Sequence, residues 1–461
     1  MKTSRIQSIS NGKKFELFSK ISFVMLVLYF LDILLLGTGA VGRIGFFSTR
    51  ILFFGLAGLF SLPLIIKDFK YLIKQPYVVV IIVFMLWVTI GAIRGVINGN
   101  SLSIIKTDIF GFLNFCILPT MVCVLKNQRR VTILLRCIVT ACITMAVLAI
   151  ILSFFPFFPN REELYQFLND TGTAAITVMD GVSTRVFLHT ASRYFLVSYL
   201  IILAWLINSS DKKQIALGMI SMGLLMVGIF MSYSRAPYAG SVLGVFTFAV
   251  LVFIFNRKKL KRFVCLVLVS ALLAVAVIGT ISAVQKYNLF KPAVYRVLLS
   301  VTYEIPGTVA PGDTVVPDDV FDIQEKEEVN LNVRQTKLNL LKDSIAKNPI
   351  FGNGLGAAID LYSGYVEYIY HDFVNKIGYI GLFLFFLPLL LHIGCIFKHF
   401  KANFGKEHQF MCFALFASMT YFLFISYFNP CMNTTVGISC YVLSMVIVGE
   451  NHSISDFRQS V

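Results

Sequence analysis

Charge is what this chain has least of. Of its 461 residues only 14% are Asp, Glu, Lys or Arg, and acidic residues are the scarcer sign, 24 against 40 basic. A soluble chain of this length needs a polar exterior that so few charges cannot furnish. The nine cysteines lie almost all in apolar runs and form no C-x-x-C, so a disulfide framework or zinc site is not indicated and packing is their expected role. Also missing are G-x-x-x-x-G-K-[ST], H-E-x-x-H and G-x-S-x-G, which leaves a nucleotide-driven or metal-dependent mechanism little to rest on. The formal net charge of +16 does not point to nucleic acid either. Its lysines and arginines form short clusters between apolar stretches rather than a continuous basic face.

Apolar residues make up 57% of the chain, and the mean hydropathy is +0.78. Runs long enough to cross a bilayer fall near 20–40, 48–66, 77–97, 105–125, 131–155, 193–209, 214–232, 236–256, 262–283, 376–397, 409–428 and 433–449. About 20 apolar residues are needed per helical span. The fold expected is therefore an all-α polytopic transmembrane bundle of about twelve spans. The basic N-terminal stretch leads into a first helix with no small-residue cleavage site after it, and that helix is read as retained.

Clusters such as Lys67, Lys70 and Lys74, or Arg257 to Arg262, alternate with poorly charged loops. Placing the basic loops in the cytoplasm puts both termini there. The chain then divides into helices one to nine (1–283), an extracytoplasmic loop (284–375), and helices ten to twelve with a cytoplasmic tail (376–461). A shorter polar segment, 156–192, faces the same outer side, and 284–375 is the only segment long enough for a small folded unit. Within it 306–322 is rich in Gly, Pro and Asp and reads as irregular loop, with Asp318, Asp319 and Asp322 as solvated charges. Val333, Leu338, Leu341 and Ile345 then share one helical stripe that Asn348-Pro349 ends, predicting an amphipathic helix that lies on the membrane or caps the bundle.

Positive charge on the outer side runs against the orientation rule and needs another reason. Arg235 lies in the reversal Tyr233-Ser234-Arg235-Ala236-Pro237, Arg185 precedes the sixth run with His189 and Arg193 following, and Arg334 opens the loop helix. The bland reading of each is a snorkelling or lipid-binding arginine. His371 lies beside Tyr368, Tyr370 and Phe373 at the start of the tenth run, and the unperturbed pKa of a histidine, about 6.5, would let it act as a base near neutral pH.

The stretch Arg334-Gln335-Thr336-Lys337-Leu338 through Asn348-Pro349-Ile350-Phe351-Gly352-Asn353-Gly354-Leu355-Gly356 resembles the loop signature of the O-antigen ligase and O-antigen polymerase superfamily. Ser234-Arg235-Ala236 is similar to that family's Ser-Arg turn, and His371 with Gly378-Tyr379-Ile380-Gly381 to its His…Gly-x-x-Gly. The likeness covers 233–381; the earlier half matches only as an apolar bundle. Asp372 stands where the family usually has Asn after the histidine, and His371 is about one helical turn closer to the Gly-x-x-Gly than is usual.

The resemblance implies a glycosyltransferase of the bacterial cytoplasmic membrane, working on its extracytoplasmic face without cofactor or metal and with inversion. The donor would be a glycan on undecaprenyl diphosphate, and the acceptor a hydroxyl of a second glycan or lipid-linked glycan, with polysaccharide-assembly proteins as further partners. Arg235, Arg334 and Arg185 would hold the diphosphate, and His371 would take the acceptor's proton. Polymerase and ligase share a donor and are not separated by these residues, though the insertion at 306–328 leans toward polymerase. A lipid-linked oligosaccharide flippase or other transporter is the alternative from a different class, weakened by the few ionisable residues within the runs and the absence of an internal repeat.

Overall fold

The structure, a computed structural model, describes residues 2–37, 43–44, 47–179, 183–294, 335–359, 368–402 and 407–449. In chain order the first helices are α1 (Lys2–Leu35), α2 (Thr49–Lys67), the single turn α3 (Phe69–Leu72), α4 (Pro76–Ile97), α5 (Leu102–Leu113), α6 (Ile117–Val124) and α7 (Gln128–Leu152). After α8 (Arg161–Asp170) come α9 (Ala191–Leu206), α10 (Lys212–Met231), α11 (Arg235–Phe255) and α12 (Arg257–Gln285). A turn of helix at 290–294 is α13, and 335–347 is α14. The chain closes with α15 (Ile369–Ala402), α16 (Glu407–Phe428) and α17 (Thr435–Gly449).

Among the described residues ten helical segments are long and apolar enough to cross a membrane, α5 and α6 joining through a 3-10 turn into one of them. The remaining two expected runs are the shorter apolar helices α9 and α17. At 1.5 Å per residue these reach roughly 22–24 Å, short of the ~30 Å hydrocarbon core. They are also buried on almost every side. A helix enclosed by other helices has no lipid face and need not match the bilayer's thickness. In α4, by contrast, Leu86, Ile90, Ile93 and Ile97 are exposed while Tyr77, Ile81, Phe84, Val88 and Gly95 are buried. Both faces are apolar, one for lipid and one for protein.

Small residues let the inner helices close up. A Cβ on Gly240 of α11 would meet Ile425 and Tyr421 of α16 at 2.6 and 2.8 Å. Polar links are sparse and placed: Tyr29 Oη lies 3.0 Å from Ser439 Oγ, joining α1 to α17, and Tyr194 donates to the Val436 carbonyl at 3.0 Å.

The helices alternate between two ends. One, the basic end, carries Lys126 paired with Asp68 and Arg262 bonded to the Ser209 carbonyl. The other is the hairpin end. There α8 is followed by an antiparallel hairpin of β3 (Ala174–Met179) and β4 (Ser183–Leu188), in register Ala174↔Leu188 to Met179↔Ser183; the two-residue strands β1 (Arg43–Ile44) and β2 (Phe47–Ser48) form a second ribbon. The chain is an all-α bundle as expected, and within 156–192 it adds a short helix and a two-stranded hairpin whose buried side chains join the bundle's core. Leu168, Ala174, Ile176, Val186 and Leu188 are all buried, a period-two pattern that the segment's polarity masks.

Candidate functional site

Two groups of residues meet the hairpin end, on either side of α16. The first is built by 335–359. In α14 Leu341 and Ile345 are buried, and Ser344 on the same face donates to Asn375 Oδ1 of α15 at 2.7 Å. The apolar stripe therefore faces protein, and of the two roles expected for this helix the bundle-capping one is realised. Arg334 and Val333, with Asp318, Asp319 and Asp322, lie outside the described residues.

The turn after α14 explains its glycines. Gly352, Gly354 and Gly356 have φ of +76°, +88° and +77°, and a Cβ on Gly354 would stand 2.3 Å from the Gly95 nitrogen. Only glycine is free both to take that left-handed backbone and to lie so close to another stretch of backbone. The turn's amides all find acceptors: Asn353 N–H donates to Asn375 O at 2.6 Å, Gly354 N–H to Lys376 O at 3.0 Å, Leu355 N–H to Gly91 O at 2.9 Å and Gly356 N–H to Asp108 Oδ2 at 2.8 Å. Asn98 and Asn100 donate to the carbonyls of Asn353 and Leu355, each at 2.9 Å. Irregular backbone at membrane depth is tolerated only with such complete pairing.

The turn seats against a break in α15. Gly378 has φ 69° and ψ 178°, and a Cβ there would sit 2.0 Å from the Ile350 carbonyl oxygen. The break isolates a two-turn helix, 369–377, which carries His371. The imidazole is half-buried between the rings of Tyr368 and Tyr427, 6.0 and 6.1 Å away. Its Nδ1 is buried without a hydrogen-bond partner among the described residues, so packing rather than a carboxylate sets its orientation. Asp372 does not serve the histidine. Its Oδ2 lies 2.8 Å from Lys376 Nζ, which lies 2.8 Å from Asp108 Oδ1 as well.

This triad escaped sequence reasoning, although signals for it exist. Asp108 is the only acidic residue in the 105–125 run, and Asp372 and Lys376 are spaced i,i+4. A second buried pair, Asp32 with Arg50 at 3.1 Å, ties α1 to α2 near the same end.

The second group comes from the hairpin. Alternation turns Thr184, Val186 and Leu188 inward and leaves Arg185, Phe187 and His189 on the other face. The Arg185 guanidinium lies 5.9 Å from the Phe187 ring, whose other neighbour is His189 at 5.6 Å, edge-on. One turn on, half-buried Arg193 stands in the first turn of α9. Burial first, then the positive charges of Arg193 and Arg185, holds the His189 imidazole below its ordinary pKa.

Arg185 Nε donates to the Ser232 carbonyl at 2.9 Å, fixing the hairpin to the reversal before Arg235. That reversal depends on Tyr233, whose φ of +43° is left-handed. The side chain of Tyr233 is buried and donates to the Leu289 carbonyl at 3.2 Å. Arg235 then begins α11 with Ser234 as its extended N-cap residue. The structure thus brings Arg185 and the Arg235 turn together on one side of α16 and places His371 on the other. His189 and Arg193 belong with Arg185 in the hairpin group. Comparison of the chain with protein-family models, curated proteins and solved structures finds no match.

Proposed function

We propose that this protein is a membrane glycosyltransferase that moves a glycan from undecaprenyl diphosphate to an acceptor hydroxyl, as a polysaccharide polymerase or ligase, with the hairpin end outside the cytoplasmic membrane. What carries the reading is the gathering at one end of an apolar bundle of Arg185, His189, Arg193 and the Arg235 turn on one side of α16 and of His371 on the other. The likeness to the O-antigen ligase and polymerase superfamily rests on the motifs and their order.

In this reading the acceptor oxygen attacks the anomeric carbon. The bond from that carbon to the diphosphate oxygen breaks, and the diphosphate departs with the electron pair. Arg185 and Arg235, with Arg334 as a further diphosphate ligand, stabilise the developing charge, since a guanidinium stays cationic and matches phosphate oxygens in pairs. His371 accepts the acceptor's proton. The decisive experiment supplies membranes with an undecaprenyl-diphosphate repeat unit. A ladder of products marks a polymerase, capture by a second acceptor marks a ligase, and unchanged glycosidic bonds refute the reading.

Buried ionisable groups such as Asp32–Arg50 and Asp108–Lys376–Asp372 would also suit a transporter. They lie within about two turns of their helices' hairpin ends, not at mid-depth where a substrate path would need them. Movement of labelled lipid-linked sugar across vesicles with its bonds intact would favour that alternative.

A further inference from the structure

The two-turn helix 369–377 is fixed far more firmly than a helix start requires. Its last carbonyls are each taken: Asn375 O by Asn353 N–H, Lys376 O by Gly354 N–H and Ile377 O by Trp87 Nε1–H at 2.8 Å. Its flank is fixed by ions. Lys376 Nζ sits 2.8 Å from Asp372 Oδ2 of its own helix and 2.8 Å from Asp108 Oδ1, 268 positions away in sequence. The side chains of Lys376, Asp108 and Asp372 are 9%, 11% and 7% exposed.

Burying three charges at membrane depth costs more than packing apolar side chains in the same space, so mere attachment does not explain the triad. Its geometry does. Asp108 also accepts the Gly356 N–H, so one carboxylate joins α5, the glycine turn and the 369–377 helix. Lys376 lies five residues after His371, about 140° round the helix, so an anchor at 376 controls the rotation of the imidazole on the other side. A turn of about 15° at roughly 6 Å from the axis would move the ring by about 1.5 Å. A misplacement of that size is enough to cost a catalytic step about 100-fold.

We propose that Asp108 and Lys376 are positioning residues that set the rotation of the 369–377 helix and through it the placement of His371. This rests on the reading of His371 as the base of the transferase. The test uses full-length Lys376→Met, Asp108→Asn and Lys376→Arg in detergent, with two readouts. The first is carbethoxylation of His371, followed by peptide mass spectrometry with His189 as internal reference. The second is transfer kinetics on the undecaprenyl-diphosphate repeat unit.

Lys376→Met and Asp108→Asn are expected to raise the His371 modification rate at least about threefold with His189 unchanged. They should lower kcat about 30- to 100-fold with the donor KM within about twofold, and Lys376→Arg should recover part of both. Unchanged His371 reactivity in folded Lys376→Met and Asp108→Asn would overturn the proposal. So would failure of both variants to accumulate as folded protein, which would make the triad a folding requirement. If His371 reactivity rises but the unaltered protein transfers no glycan, the anchor stands and the transferase reading fails.

Discussion

The two sides of α16 treat charge in opposite ways. Toward α9 and α11, Arg185 rests on a carbonyl and an aromatic ring, and the charges acting on His189 are both positive. Toward α15, a single lysine is matched by two carboxylates, and the amides of the adjoining glycine turn are paired. A partly desolvated positive group is stabilised by an anion, and the proposed function gives the first side that receiving role. A closed ion triad has nothing left to offer a ligand and serves to hold backbone in place. In the proposed function, reception and rigidity are thus divided between two faces of one helix.

The contrast is most severely broken on the rigid side. Gly378→Ala places a Cβ 2.0 Å from the Ile350 oxygen at φ +69° and is expected to cost about 3 kcal/mol or more. Gly279→Ala, where a Cβ meets nothing within 4 Å, should leave thermal unfolding in detergent within about 0.5 kcal/mol of the parent. Equal Tm values for the two variants would remove the distinction.

Next in size, His371→Ala should lower glycan transfer by about 100-fold or more with the protein still in the membrane; full activity would sink the assignment. Arg185→Gln probes the receiving side. Loss of the bond to Ser232 should cost about 1.5 kcal/mol of stability, and loss of the cation should raise the donor KM as well as lower kcat. A change in kcat alone would place Arg185 with the holding residues instead.

The smallest effect is one of pH. In the fold His189 is held below its ordinary value of 6.5 by burial, Arg193 and Arg185. Below about pH 6.5 the unfolded chain therefore binds a proton that the folded chain resists. Stability from this group is complete above that pH and falls as pH drops toward the lowered folded value. His189→Gln should show a smaller loss of Tm than the parent between pH 7.5 and 5.5; an identical slope would mean that His189 does not feel the arginines.

Much of the fold is legible in the residues themselves. Each of the twelve apolar runs corresponds to a helix, and Asn348-Pro349 ends α14 as the proline rule requires. The stripe of Leu341 and Ile345 marks the buried face correctly. In α4, though, apolar residues serve lipid on one face and protein on the other, so hydrophobicity cannot say which face packs. The same ambiguity hides that α9 and α17 are enclosed. The hairpin strands 174–179 and 183–188 are obscured because they lie inside a segment that reads as loop and their outward positions mix apolar Ala175 and Phe187 with polar Thr177 and Arg185.

Of the site, sequence by itself determined the residue types and their end of the bundle: arginines against the orientation rule, a histidine where a helix begins, glycines where the backbone must turn left-handed. Local chemistry suffices for those, because φ > 0 and membrane depth are properties of a few neighbouring residues. Only the tertiary structure decided partners. Lys376 meets Asp108 across 268 positions, Arg185 meets the Ser232 carbonyl, and Asp372 turns away from the histidine beside it. Pairing at such separations is fixed by how the helices pack, and nothing in the spacing of a single run records it.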